Sequence, residues 1–161
     1  MRISKAQVAW GGLMAALQKV IENWNPARFR SELQFRDSLV DHLRRCAPEA
    51  RVEKEYRDNG TTTDIYFVWE GLLETTRVFI ELKRDLHQKA QLDRLVGQIE
   101  LLEPRQNHVI VVFCGTSDEQ LLGRFRYKYR HQLTEQFLLE PQMLMICKET
   151  EVREHASSAR E

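Results

Sequence analysis

The first fifty residues carry apolar side chains at helical spacing. Between residues 4 and 24, Val8, Leu13 and Leu17 form a rough apolar stripe, which is the pattern of an amphipathic helix. The pair Gly11–Gly12 weakens that helix, because each glycine costs about 1 kcal/mol relative to alanine, and it marks a candidate break. We expect this helix to pack either against the core of the domain or against a partner.

A second amphipathic helix is predicted to begin at Ser31. Gln34 follows three residues later, and a serine and a glutamine at this spacing form a capping box. The apolar residues that follow recur every fourth position and share one face: Phe35, Leu39 and Leu43. The helix is predicted to end at Cys46–Ala47–Pro48, because proline cannot continue it.

The helical period gives way to strand patterns in the middle of the chain. Residues 51–56 alternate loosely, and Asp58–Asn59–Gly60 supplies a turn. Residues 63–69 and 75–82 are rich in β-branched and aromatic side chains, and Gly71 lies between them. These runs predict three consecutive strands.

The remainder alternates between the two periods. A helix is predicted over residues 87–103, a strand over 107–114, a helix over 117–139 and a short strand over 143–147. The strand at 107–114 is apolar without interruption, as expected of a strand buried on both faces. The order α-α-β-β-β-α-β-α-β predicts a single domain of the α/β class.

Composition sets the size and charge of that domain. The 161 residues include 24 Lys plus Arg and 24 Asp plus Glu, so the formal net charge is zero. Such a length fits one domain, assigned here to residues 1–148, followed by a flexible charged tail over 149–161. Zero net charge excludes attraction of nucleic acid or membrane by an overall basic excess and leaves local patches open.

The cysteines and the N-terminal apolar stretch indicate the compartment. Cys46, Cys114 and Cys147 are isolated from one another and lie beside apolar residues, so we expect buried thiols in a reducing environment. The apolar stretch Val8–Leu17 is shorter than the roughly 18 residues that a membrane-spanning helix needs. The sequence therefore predicts a cytoplasmic protein without a membrane partner.

Three charged residues stand in strand patterns where charge is costly. Asp64 opens one predicted strand, and Glu81 and Lys83 follow three apolar residues in the next. Buried carboxylates are expensive unless they are paired or bind a metal, and Mg²⁺ prefers oxygen ligands. Asp64, Glu81 and the Leu82 carbonyl are thus candidate ligands of Mg²⁺ or Mn²⁺, with Lys83 close to an attacking water or a scissile phosphate.

Two helical residues extend this set, and each member also has a purely structural explanation. Glu32 falls on the core-facing side of its helix, where the helix dipole alone favours a carboxylate in the first turn. Gln98 flanks the apolar stripe of the later helix, where it is otherwise a boundary residue. Glu81 and Lys83 also suit a solvent-exposed pair, and Asp64 suits a turn.

The order of these residues resembles the restriction-endonuclease-like PD-(D/E)XK nuclease superfamily. The resemblance covers residues 31–114, which correspond to the αβββαβ core of that superfamily. It implies a mixed sheet flanked by helices, with residues 4–24 as an additional N-terminal helix. Thr63 stands where many members have a proline.

The resemblance also implies roles for individual residues. Asp64 and Glu81 correspond to the metal ligands, and Lys83 corresponds to the motif lysine. Glu32 is similar to an acidic residue on the first core helix of some members, which makes it a further candidate metal ligand. Gln98 is similar to the helix glutamine of the RecB-like and resolvase-like branches.

The implied function is a Mg²⁺- or Mn²⁺-dependent nuclease that hydrolyses phosphodiester bonds, with DNA favoured over RNA as its substrate. Two alternatives stay open. One is a non-catalytic module of the same fold that binds nucleic acid or assembles into a larger complex. The other is a homodimeric resolvase acting on branched DNA, with residues 4–24 at the dimer interface.

Basic residues in two places are candidate contacts to nucleic acid. Arg84 and Lys89 lie near the proposed site, and four more interleave with aromatic residues late in the chain: Arg124, Arg126, Lys128 and Arg130. Such a segment can neutralise phosphates and stack bases. The same pattern also fits a helix with its aromatic residues in the core and its basic residues outside.

Overall fold

A computed structural model describes residues 1–134 and 139–149 and confirms the α/β class. Five strands form one sheet in the order β1-β2-β3-β4-β5. Their bounds are β1 Arg51–Asp58, β2 Thr61–Glu70, β3 Thr75–Arg84, β4 His108–Cys114 and β5 Met143–Lys148. The first three strands pair antiparallel, whereas β3, β4 and β5 pair parallel. The sheet is therefore mixed, and β3 is its central strand.

Helices cover both faces of this sheet. Their bounds are α1 Lys5–Gly11, α2 Leu13–Glu22, α3 Glu32–Cys46, α4 Lys89–Leu101, α5 Glu119–Lys128 and α6 Arg130–Leu133. The buried residues of α2 and α3 pack with Ile110 and Val112 of β4, whereas those of α4 and α5 pack with Val109 and Val111. Alternate residues of β4 thus enter opposite cores, which explains its uninterrupted apolar sequence.

The N-terminal segment forms two helices rather than one. Gly12 separates α1 from α2 with a φ of 84°, a conformation that favours glycine. The break confirms the interpretation of the glycine pair. Five residues of α2 are buried in the core: Leu13, Met14, Leu17, Val20 and Ile21. By contrast, α1 has no fully buried residue and contacts the core through the partly buried Val8, while its Trp10 is 93% exposed.

The predicted helix at Ser31 is confirmed. The Ser31 hydroxyl accepts a hydrogen bond from the Gln34 backbone N–H, and the Gln34 side chain accepts one from the Arg30 N–H. Both contacts satisfy backbone donors at the helix start. The N-terminus of α3, with Glu32 in its first turn, is therefore fixed by local hydrogen bonds.

Two predictions about the C-terminal third are corrected. The continuous helix over 117–139 is wrong, because α5 ends at Lys128 and, as far as the described residue 134, the four residues of α6 are the helix that follows. Cys147 is exposed, since it lies near the end of β5, which pairs with β4 and with no other strand among the described residues. Cys46 and Cys114 are buried as predicted.

Parts of other predictions lie outside the described residues. Residues 135–138 fall within the segment predicted as helix, and residues 150–161 contain most of the predicted tail. Within the described ranges, no helix combines the length and apolar character needed to cross a membrane.

Candidate functional site

The strands β2 and β3 separate at the position of the two candidate carboxylates. Their pairing extends as far as Ile65 and Ile80 and includes no residue beyond them. From Glu81 to Arg84, β3 pairs with β4 alone. Asp64 and Glu81 are the first residues past the last pair, so both carboxylates lie where the sheet opens.

Side chains replace the hydrogen bonds that this separation removes. The Leu82 backbone N–H donates to Asp64 Oδ2 at 2.8 Å. Thr63 Oγ1 donates to Glu81 Oε1 at 2.8 Å and lies 3.5 Å from the Ile80 carbonyl oxygen. The opening is thus held by specific contacts, which fix Asp64 and Glu81 at its edges.

Glu81 is the most buried acidic residue among those described, with 3% of its surface exposed. Burial, and secondarily the charge of Asp64, raise the pKa of the Glu81 carboxyl to about 8, while the Thr63 hydrogen bond opposes the shift. Two carboxylates this close disfavour simultaneous ionisation. A bound divalent cation would offset both the burial and the repulsion.

Lys83 and Glu32 meet across the gap between β3 and the start of α3. Lys83 Nζ lies 3.2 Å from Glu32 Oε1. The Lys83 side chain is 16% exposed, whereas that of Glu32 is 42% exposed. The ion pair therefore holds the lysine amine against the first turn of α3, and Lys83 itself lies two residues beyond Glu81 in β3.

The donor chemistry of the opening fits Mg²⁺ or Mn²⁺. Mg²⁺ sites commonly use one or two carboxylates and complete their coordination with water and substrate phosphate oxygens. Asp64 and Glu81 supply two carboxylates, and the Leu82 carbonyl belongs to the same stretch of backbone. No group of three His, Cys, Asp or Glu residues gathers within the described residues, and Glu32 is paired with Lys83 instead.

Gln98 is not brought into this group. It lies exposed on α4, and no hydrogen bond connects it to Asp64, Glu81, Lys83 or Glu32 among the hydrogen bonds of the described residues. Its neighbours Leu95 and Ile99 fill the core instead. The structure thus shows two pairs among the five predicted catalytic residues, Asp64 with Glu81 and Lys83 with Glu32, and leaves Gln98 apart from both.

The basic residues predicted to contact nucleic acid lie in different surroundings. Arg84 lies next to the site, and its guanidinium donates to the backbone carbonyls of Phe29 and Arg30. Lys89 is exposed at the start of α4 and pairs with Asp93 at 2.9 Å. Of these two, only Arg84 is fixed against the elements that carry the site.

The aromatic residues of the late basic segment are divided between core and surface. Phe125 and Tyr129 are buried, whereas Tyr127 is 70% exposed. The Arg130 guanidinium lies 4.3 Å from the centre of the Tyr127 ring, and Lys128 Nζ lies 3.9 Å from Glu100. Arg124 and Arg126 are exposed on α5. This arrangement favours the core-packing alternative for two of the three aromatic residues.

Sequence reasoning missed the part played by Thr63. It is 1% exposed and hydrogen-bonds to Glu81, although its sequence position only marks the absence of the usual proline. The sequence signal that could have identified it is a threonine hydroxyl directly before Asp64, at the end of the run Thr61–Thr62–Thr63 and inside a predicted strand. A buried hydroxyl requires a hydrogen-bond partner, and here the partner is a carboxylate.

Comparison with known proteins adds no assignment. No protein-family model matches the chain, and neither any curated protein nor any solved structure matches it.

Proposed function

We propose that this protein is a metal-dependent nuclease of the PD-(D/E)XK type that hydrolyses phosphodiester bonds in DNA. The observation that supports the proposal is the opening between β2 and β3, where Asp64 and Glu81 follow the last strand pair and interact through their side chains, with Lys83 two residues beyond. The order α3-β1-β2-β3-α4-β4 agrees with the αβββαβ core of a restriction-endonuclease-like fold. A purely structural ion pair does not account for a second carboxylate placed at the same opening.

The residues of the opening have distinct roles in this proposal. Asp64 and Glu81 would bind Mg²⁺ or Mn²⁺, with the Leu82 carbonyl as a further ligand. When bound, the cation polarises the phosphate and lowers the pKa of a coordinated water. Lys83 orients the water and stabilises negative charge that develops on the phosphate. Glu32 positions Lys83 through their ion pair.

The proposed location is the cytoplasm, where the buried thiols of Cys46 and Cys114 stay reduced. DNA is the proposed partner because the site combines a cation site for phosphate oxygens with a lysine. Gln98 is proposed to complete the pocket by contacting bound DNA from its exposed position on α4.

A cleavage assay tests the proposal. Labelled single-stranded, duplex, flapped and four-way DNA would be incubated with wild-type protein in Mg²⁺, Mn²⁺ or EDTA. The variants Asp64→Asn and Lys83→Gln would be compared with Lys19→Gln, which changes an exposed lysine of α2. We expect metal-dependent cleavage by the wild type and by Lys19→Gln alone.

Cleavage that persists in Asp64→Asn and Lys83→Gln would contradict the proposed site. Absence of cleavage by folded wild-type protein that still binds DNA would favour the non-catalytic module instead.

One observation favours the homodimer as a second candidate. Trp10 is almost fully exposed on α1, a helix that buries none of its own residues, and large exposed aromatic side chains are common at interfaces. Light scattering at micromolar concentration would detect a dimer. A monomer would contradict this candidate without affecting the nuclease proposal.

A further inference from the structure

A basic cavity of about 510 Å³ lies beside the candidate site. Its lining includes three arginines, Arg28, Arg30 and Arg84, together with Asp85 and the backbone turn that follows β4. Arg84 directly follows Lys83 in β3, and Arg30 lies two residues before Glu32. Two lining residues of the cavity are therefore close in the chain to the Lys83–Glu32 ion pair.

The charges that line this cavity do not cancel. Asp85 is its only acidic lining residue among those described, and its carboxylate is already engaged. Asp85 Oδ1 accepts a hydrogen bond from the Thr116 N–H at 3.0 Å, and Oδ2 lies 3.4 Å from Arg84 Nε. Arg28 and Arg30 are exposed, and neither forms an ion pair with any described residue. A chain of zero net charge therefore has a local positive excess here.

Arg84 fixes the segment that carries the other two arginines. Its Nη1 donates to the Phe29 carbonyl at 3.4 Å and also to the Arg30 carbonyl. Phe29 packs edge-on against the buried Phe35 of α3, with ring centres 5.1 Å apart. Residues 29 and 30 are thus attached both to the end of β3 and to α3, so the backbone beside Arg28 and Arg30 is held in place while their side chains stay exposed.

We infer that this cavity binds a phosphate group of the nucleic acid that flanks the phosphate held at Asp64 and Glu81. The inference rests on the proposed nuclease function. Arginine guanidinium groups bind phosphate through paired hydrogen bonds and are never deprotonated in proteins. The flanking phosphate is either an internal one or a terminal one, because both present the same oxygens.

The strand β3 connects the two positions, because Arg84 lines the cavity and lies three residues beyond Glu81. Three residues of extended strand span roughly 10 Å, and phosphates recur about every 3.4 Å along the axis of one duplex strand. The cavity therefore lies at a distance from Glu81 that one nucleic-acid strand spans within a few nucleotides.

The salt dependence of binding tests this inference. Fluorescence anisotropy would measure the affinity for a labelled duplex in EDTA over a series of KCl concentrations, so that no cleavage occurs. The variants Arg28→Gln and Arg30→Gln each remove one positive charge from the cavity. Arg105→Gln removes one from an exposed turn before β4, at the opposite end of the parallel strands.

We expect the negative slope of log K against log [salt] to become shallower by about 0.9 in each cavity variant, which corresponds to one lost phosphate contact. Arg105→Gln is expected to keep the wild-type slope. Unchanged slopes in both cavity variants, or an equal loss in Arg105→Gln, would overturn the inference.

Two further arms separate the sources of the phosphate and the two proposals. The same duplex would carry either a 5′-phosphate or a 5′-hydroxyl. If the cavity variants have a shallower salt slope with both duplexes, the cavity binds an internal phosphate. If the slope is shallower only with the 5′-phosphorylated duplex, the cavity binds a terminal phosphate. If the wild-type protein cleaves DNA in Mg²⁺ but the cavity variants keep the wild-type salt slope, the phosphate site is contradicted and the nuclease proposal is not. A reduced slope without any cleavage contradicts the nuclease proposal alone.

Discussion

Replacing Glu81 by glutamine is expected to stabilise the metal-free protein at alkaline pH. The folded state keeps Glu81 protonated up to a pKa of about 8, whereas the unfolded chain ionises it at its ordinary value near 4.5. Between the two pKa values the folded state binds more protons than the unfolded chain. The free energy of unfolding of the wild type therefore decreases as the pH rises through this range. Glutamine cannot ionise and removes this decrease.

The magnitude follows from the two pKa values. At about 1.4 kcal/mol per pKa unit, their difference corresponds to at most roughly 5 kcal/mol. Glutamine also preserves the local hydrogen bonds, because its Oε1 accepts from Thr63 and its amide faces Asp64. We therefore expect the variant to match the wild type below about pH 5 and to exceed it by on the order of 2–5 kcal/mol above about pH 8.

Urea unfolding followed by the fluorescence of buried Trp24 and Trp69 measures this difference. The control is Glu70→Gln, which removes an exposed carboxylate from the opposite end of β2. A variant whose stability follows the wild-type pH dependence would refute the assigned burial of Glu81. Metal provides a second readout, since Mg²⁺ at a hundred times its Kd stabilises a specific site by about 2.7 kcal/mol, and Glu81→Gln should lose most of that stabilisation.

Two further predictions concern the N-terminal helices. Leu17→Ala should cost about 2–5 kcal/mol in urea unfolding, because Leu17 is fully buried. The matched variant Leu73→Ala, at a fully exposed position, should change stability by less than about 0.5 kcal/mol; equal effects would contradict the packing of α2. Glu140→Ala should cost about 1 kcal/mol, because it removes the carboxylate that accepts from the Met14 and Ala15 N–H groups at 2.9 and 3.3 Å. No loss of stability would show that this cap is not formed.

The strands and most helices could be predicted from local patterns. The β-branched runs of β2, β3 and β4 and the capping residues of α3 are local signals, so their positions followed from the sequence. The end of α5 did not, because the sequence from 117 to 139 contains no proline to interrupt the helix. There the backbone leaves the helix at Tyr129. The Tyr129 ring packs in the core, and its hydroxyl donates a hydrogen bond to the Glu100 carboxylate.

The site divides in the same way. Asp64, Glu81 and Lys83 were identifiable because charge in an apolar strand is conspicuous. The opening between β2 and β3 depends on strand register, and so does the contact of Thr63 with Glu81. Gln98 was chosen from helical spacing and from the resemblance to the helix glutamine of related nucleases, and neither shows how far its side chain lies from the sheet.

The arginine cavity was beyond sequence reasoning for another reason. The apolar and polar side chains around residues 28–30 do not recur at the spacing of a helix or of a strand. The position of these residues is set by the contacts of Arg84, whose sequence separation from them exceeds fifty residues. Such long-range contacts are visible only in the folded chain.

The most direct test of the central claim is the single-turnover rate of DNA cleavage in Mg²⁺ by wild-type protein and by Lys83→Gln. Unfolding curves would first establish that the variant is folded. We predict that Lys83→Gln cleaves more slowly than the wild type by about two orders of magnitude or more and still binds DNA in EDTA. A Lys83→Gln variant that cleaves at the wild-type rate would contradict the account.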